Sequence, residues 1–304
     1  MRIDAHAHVF PPSLAAKRGH YLSRDLTYRS LYSNPDAPLS TAEALLESMD
    51  RCDIDRAFLV NIGWATHDLC RETNEYILDA ARRHPDRFVA FCSVNPVAGR
   101  QAVEEIERCA AAGARGIGEL HPDSQGYDLG DRQMMAPIVD AASRAGMVIL
   151  THASEPVGHL YPGKGQVTPR VLYRFVTNFP DQPLICAHWG GGLPFYALMP
   201  EVRRALANVA FDTAASPFLY DPDIFEAVAG LVGPEKILFG SDFPLIKQER
   251  LIEQVEESNL SAEAKELVLG GNAARLVDTW RPGDYHRPDL KRASPRPEEG
   301  IAPT

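Results

Sequence analysis

Eight short runs rich in β-branched and aromatic residues divide this 304-residue chain at fairly even intervals: 3–9, 57–62, 88–94, 116–120, 148–153, 184–189, 209–214 and 237–242. Between them lie segments such as 41–52, 73–84, 102–113 and 134–146, whose apolar residues recur at i, i+3 and i+4. The first periodicity reads as strand and the second as amphipathic helix. Gly113 and Gly146 close two of the helical segments, where a glycine C-cap is expected. Strand followed by helix, eight times over, predicts a (β/α)8 TIM barrel. The mostly apolar runs suit parallel strands that are covered on both faces. A doubly wound open sheet is the competing arrangement, but no glycine-rich phosphate loop follows the first run.

Polar residues gather where the runs end. His6 and His8 close the first run, Glu119 the fourth, His152 the fifth, His188 the sixth and Asp242 the eighth. In a barrel the strand C-termini converge on one face, so residues far apart in sequence would meet there. His6 and His8 share the i, i+2 spacing that puts two strand side chains on one face. Two imidazoles aimed one way, with carboxylates nearby, suit zinc, manganese or iron(II), and an open coordination position on such an ion activates water.

Composition narrows the choices further. The chain is 45% hydrophobic and carries 31 Lys and Arg against 41 Asp and Glu, a net charge of −10, which is the wrong sign for neutralising a phosphate backbone. No nucleic-acid partner is expected. No uninterrupted apolar stretch is long enough for a membrane span, and the N-terminus enters a strand-like run directly, so a cytoplasmic location is expected. The five cysteines lack CxxC spacing and read as free thiols.

Two segments fall outside the repeat. Residues 11–40 make an unusually long first connection, expected to form a lid or substrate wall. The barrel is expected over 1–278, with 279–304 an extended tail rich in proline and charge.

The stretches "DAHAHVF", "LTHASEP", "CAHWGG" and "LFGSDFP" resemble the strand ends of the amidohydrolase superfamily. The likeness is to the amidohydrolase-2 branch, which includes aminocarboxymuconate-semialdehyde and γ-resorcylate decarboxylases, and it extends to the closing "GGNAARLV". It implies a divalent metal, zinc first, held by His6, His8, His152 and Asp242. His188 is then an acid–base group or a ligand of a second ion. Glu119 stands where binuclear relatives place a bridging carboxylate, which leaves one ion or two open.

The leading expectation is therefore a metal-dependent hydrolase of a small, carbonyl-containing and anionic substrate, with Asp242 as the base and His188 steadying the developing charge. The alternative is a carboxy-lyase of an aromatic or muconate-type acid, with the substrate carboxylate seated by Arg24, Arg29 or Lys164. Glu119 beside the metal would repel that carboxylate, which favours hydrolysis. Lys164, Tyr161 and Trp64 are the candidate substrate contacts outside the metal centre. A homodimer is also expected from the resemblance.

Overall fold

The structure, a computed structural model, describes residues 1–278. The expected tail, 279–304, lies outside the described residues. Eight parallel strands follow one another in sequence order: β1 (Ile3–Ala7), β2 (Arg56–Val60), β3 (Phe88–Cys92), β4 (Gly116–Leu120), β5 (Val148–Thr151), β6 (Leu184–Cys186), β7 (Val209–Asp212) and β8 (Ile237–Leu238). Each is hydrogen-bonded to the next in parallel register, and helices cover the outside. The fold is the (β/α)8 barrel.

Alternation along the strands separates two apolar layers. Phe58 and Val60 of β2, Val89 and Phe91 of β3, and Val148 and Leu150 of β5 join Ile3, Ala5 and Leu238 in one cluster. Their neighbours Ala57, Leu59, Ala90, Cys92 and Ile149 pack in the other, with Leu45, Ile106, Ile138 and Phe175 from the surrounding helices. Successive side chains point to opposite faces, so a strand buried on both sides must be apolar at nearly every position. The last helix among the described residues, Asn272–Asp278, adds Ala273 and Val277 to the first cluster, and Asn272 donates from Nδ2 to the carbonyls of Pro234 and Ile237 at 2.8 Å each.

The ring closes irregularly. β8 has two residues in ladder geometry, and β1 meets the chain beyond it through Ala5 N–H to Phe239 O (2.8 Å), Asp242 N–H to His6 O (2.9 Å) and His8 N–H to Phe243 O (2.7 Å). Asp4, wholly buried, ties the same seam. Its Oδ1 accepts from Ser241 N–H (2.9 Å), and its Oδ2 accepts from Ser241 Oγ and Gln248 Nε2 (2.6 Å each).

Three helices match their segments to within two residues, as Ala42–Arg51, Arg100–Ala111 and Arg132–Ala145, while the one expected over 73–84 starts six residues earlier, as His67–Arg83. Gly146 caps Arg132–Ala145 at φ 67°, the left-handed conformation that glycine adopts freely. Most strands are shorter than the apolar runs because the chain leaves the ladder before the last residues of the run, whereas β4 matches its run. His8, His152, His188 and Asp242 stand just beyond strand ends, while His6 and Glu119 lie within β1 and β4.

The long first connection folds into three short helices, α1 (Pro12–Ala16), α2 (Arg18–Arg24) and α3 (Leu26–Tyr32), over a small aromatic core. Tyr28 stacks on Trp64 with centroids 5.4 Å apart, and Tyr21 and Tyr32 pack against Tyr28. Asp25 caps α3 by accepting from Tyr28 N–H (2.9 Å), and its other oxygen accepts from Ala65 N–H (2.8 Å), which fastens the insertion to the loop after β2.

Candidate metal centre and substrate pocket

The strand-end residues converge as the barrel geometry requires. Glu119, 2% exposed, stands in the middle. Its Oε2 is 3.6 Å from both His6 Nε2 and His8 Nε2 and 3.0 Å from His121 Nε2. Its Oε1 is 3.0 Å from His152 Nδ1 and 3.4 Å from His188 Nε2. Asp242 Oδ1 completes the group, 3.3 Å from His8 Nε2 and 4.0 Å from His6 Nε2. Candidate ligand atoms form two overlapping triads that share Glu119: His6, His8 and Glu119, and Glu119, His152 and His188.

Outer partners orient most of the rings. His6 Nδ1 meets Asp212 Oδ2 (2.8 Å), His8 Nδ1 the Val60 carbonyl (2.9 Å), His188 Nδ1 the Ala214 carbonyl (3.1 Å) and His152 Nε2 the Ser154 hydroxyl (3.3 Å). In each case the other nitrogen faces the centre. That division is the usual arrangement of a metal-binding histidine, whose distant nitrogen is tied to a carboxylate or carbonyl. Asp212 is wholly buried at the end of β7, and its Oδ1 also accepts from the backbone N–H of His188 (2.9 Å) and Ala214 (3.1 Å).

Backbone conformation contributes as well. His188 and Asp242 lie at φ 55° and 62°, a region that costs an L-residue energy and that is found where a site over-determines the chain. The left-handed path continues from His188 through Gly192. At Gly191 a Cβ would lie 2.3 Å from the Ser154 carbonyl oxygen, so this close approach needs glycine.

The electrostatics ask for a cation. Burial would push the Asp242 carboxyl up, yet His8, His6 and His188 hold it down at about 2. Burial likewise opposes ionisation of Glu119, but His121, His6 and His152 bring it well below the usual carboxylate range. His6, against the pull of burial, is raised well above the ordinary imidazole value by Asp212 and Glu119, and His188 is raised to about 9 by Glu119, Asp242 and Asp212. For His152 burial prevails and lowers it. Buried carboxylates are tolerated only with compensating positive charge. The 3.1 Å between His6 Nε2 and His8 Nε2 is also what two nitrogens need to reach one ion from adjacent positions at ~2.1 Å each. These residues fit a divalent metal.

Above the centre opens a cavity of about 530 Å³. His8, Glu119, His121, His152, His188 and Asp242 line its polar part, and Tyr32, Pro38, Phe218, Leu219, Pro244 and Leu245 its apolar walls. Among the described residues no lysine or arginine lines it. Tyr161 does, with its hydroxyl donating to Glu155 Oε2 at 2.8 Å.

Two expected substrate contacts sit elsewhere. Trp64 is fully buried under the insertion, its indole N–H donating to Asn61 Oδ1 (3.0 Å), because its apolar ring completes the aromatic core. Lys164 bends back onto its own loop and donates to the carbonyls of Val157 (2.7 Å) and His159 (2.9 Å). Arg24 and Arg29 are exposed on the insertion and bonded within it. Two site residues escaped the sequence reading. Asp212 ends β7, so the strand-end rule that picked out the others extends to it, and His121 stands two residues after Glu119, just past the end of β4.

Comparison with known proteins places this architecture. Residues 3–279 match the family model described as amidohydrolase. The chain belongs to the amidohydrolase-2 family. It is an enzyme of the amidohydrolase superfamily. Family relatives include a 2-amino-3-carboxymuconate-6-semialdehyde decarboxylase of Dictyostelium discoideum, 23% identical over 91% of each chain, and a 6-methylsalicylic acid decarboxylase of Penicillium expansum, 27% identical over 90% of this chain and 95% of that one. An L-fucono-1,5-lactonase of Burkholderia multivorans is 25% identical, over 56% of this chain and 57% of its own. Among solved structures, 5-carboxyvanillate decarboxylase of Sphingomonas paucimobilis superposes with a TM-score of 0.75 at 20% identity, covering 91% of this chain and 98% of that one. Its counterpart from Novosphingobium aromaticivorans, solved with manganese, gives 0.74 at 17% identity, covering 91% and 96%. The two relatives above that align with nine-tenths of this chain's sequence are both decarboxylases, which favours the carboxy-lyase alternative over the hydrolase expectation.

Proposed function

We propose that this protein is a metal-dependent carboxy-lyase of a small aromatic or muconate-type acid. The observation that carries the reading is the pocket: a slot with Tyr32, Phe218, Leu219, Pro244 and Leu245 on its walls, over imidazoles and carboxylates. Apolar walls with a few convergent polar groups suit a flat, conjugated acid. The decarboxylase relatives, aligned along nearly all of the chain, support it.

His6 and His8 would hold the ion together with Glu119 and Asp242, with His152 at the second triad. Once bound, the ion supplies positive charge that polarises the substrate's oxygens. Imidazole and carboxylate donors accept zinc and manganese alike. His188 is the proton donor in this scheme. Its Nδ1 is committed to the Ala214 carbonyl, and its Nε2 faces the cavity. As the bond between the carboxylate and the ring or chain carbon breaks, its electron pair stays on that carbon, which takes the proton from His188 Nε2. Carbon dioxide leaves, and solvent restores the proton. Asp242, with Glu119 and Asp212, favours the protonated form of His188 that this step needs. The walls exclude water from the carbon while this happens.

Lactone or ester hydrolysis is the second reading. Glu119 between two histidine sets and the lactonase relative favour it. A panel of hydroxybenzoates, muconates and sugar lactones, offered to protein loaded with manganese or zinc, separates the two. Carbon dioxide released from the acids supports the carboxy-lyase. Acid release from the lactones with no carbon dioxide from any acid would replace it with the hydrolase.

A further inference from the structure

His121 differs from every other imidazole at the centre. Its ring is 7% exposed, lines the cavity and stacks on His152 with centroids 4.9 Å apart and planes at 23°. Nε2 is buried and makes an ion-pair contact with Glu119 Oε2 at 3.0 Å, without hydrogen-bonding geometry to any of the described residues. His6, His8, His152 and His188 each have an outer tether on one nitrogen, and His121 has none. A buried donor without a partner costs free energy, so such a group usually has a use.

The backbone of His121 is held firmly. Its N–H donates to Gln125 Oε1 (2.9 Å) and its carbonyl accepts from Gln125 N–H (2.9 Å). The same Gln125 side chain donates to the carbonyls of Trp64 (3.0 Å) and Val94 (2.9 Å), so one residue fixes His121 against the loops after β2 and β3. The ring is thus pre-positioned, with Nε2 turned to Glu119 and no outer tether among the described residues.

An anionic substrate entering this pocket meets no lysine or arginine among the described residues. The imidazoles not assigned to the metal or to proton delivery are His121 and His159, and His159 is on an exposed loop. We infer that His121 seats the substrate: a ring N–H donates to a carboxylate oxygen, and the residue selects carboxylated ligands over their neutral counterparts. The inference rests on the proposed reading only in taking the substrate to be an acid. It assigns His121 to ligand recognition, not to metal binding.

The test is calorimetric titration of manganese-loaded protein with benzoate and salicylate, and with benzamide and salicylamide as uncharged matches. The wild type should bind the acids more tightly. His121→Ala should weaken the acids about tenfold or more, the loss expected for a hydrogen bond to a charged group, and leave the amides within about twofold. His121→Phe, which keeps a ring on His152 but has no N–H, should behave the same, while His121→Asn should recover part of the loss. Metal per chain should match the wild type in all three. A fall in metal content would make His121 a ligand and overturn the inference. So would equal weakening of acids and amides, unchanged binding in both His121→Ala and His121→Phe, or a wild type that does not distinguish acid from amide. Protein that binds acids through His121 yet releases no carbon dioxide would leave the inference standing and remove the carboxy-lyase reading.

Discussion

Asp212 holds two parts of the centre in place with one carboxylate, orienting the His6 ring and the His188 backbone. Asp212→Asn keeps the volume but presents an N–H or a weaker acceptor to His6 Nδ1. Metal affinity measured by chelator competition should fall about 10- to 100-fold, as for other outer partners of metal histidines. Affinity within twofold of wild type would deny Asp212 that role. Asp242→Asn removes the charge that His6, His8 and His188 gather around, and should lower kcat by two orders of magnitude or more while the barrel still folds. Steady-state kinetics beside a melting curve would separate the two effects. The convergence of His6, His8, His152, His188, Glu119 and Asp242 was legible from strand-end position, because the barrel brings those ends together whatever the loops do. Trp64 and Lys164 were not, since their directions depend on loop paths that carry no periodic signal. Trp64 turns into the aromatic core, and Lys164 satisfies the carbonyls of its own loop.

The insertion α1–α3 has a core of its own, and its stability should be separable from that of the barrel. Tyr28 is fully buried there, with a hydroxyl that has no hydrogen-bond partner among the described residues. Tyr28→Phe should therefore be neutral or stabilising, whereas Tyr28→Ala should cost about 3–5 kcal/mol through the cavity it leaves. Thermal or denaturant unfolding of both variants checks the pair, and a destabilised Tyr28→Phe would mean that the hydroxyl has a use. Between the helices His67–Arg83 and Arg100–Ala111, buried Glu105 accepts from Asn74 Nδ2 (2.8 Å) and from Arg108 Nε (2.8 Å) and Nη2 (2.7 Å). Burial opposes its charge, but Arg108 and Asn74 outweigh burial and lower it below 4.5. A carboxyl lowered in the folded state stabilises above its unfolded value, and that stabilisation is lost as pH falls through the folded one. Glu105→Gln should be less stable than wild type at neutral pH, by roughly 1–3 kcal/mol, with the gap closing below about pH 4.5. A gap that is flat down to pH 3 would contradict the ion pair. The helices were readable from their periodicity, three of them to within two residues. Most strands were over-read at their C-terminal ends, because residues such as His8, His152, His188 and Asp242 that continue the apparent run have already left the ladder; β4, with Glu119 inside it, was not.

As a whole, the molecule encloses several carboxylates around its axis, so bound metal should stabilise all of it. Ligand binding to the folded state alone raises stability by mass action, about 2.7 kcal/mol at a hundredfold excess over Kd. Protein stripped with a chelator should melt several degrees lower than the manganese- or zinc-loaded form, and readdition should restore the difference. Identical melting curves would place the metal elsewhere or make it too weak to matter. The seam where β1 meets the residues after β8 carries a further consequence. His6 and His8 leave the ribosome well before Asp242 and the groups that lock it to Asp4, which lie more than 230 residues further along the chain. The nascent chain therefore cannot trap an ion in its finished setting, and the barrel's clasp shuts only when its last strand arrives.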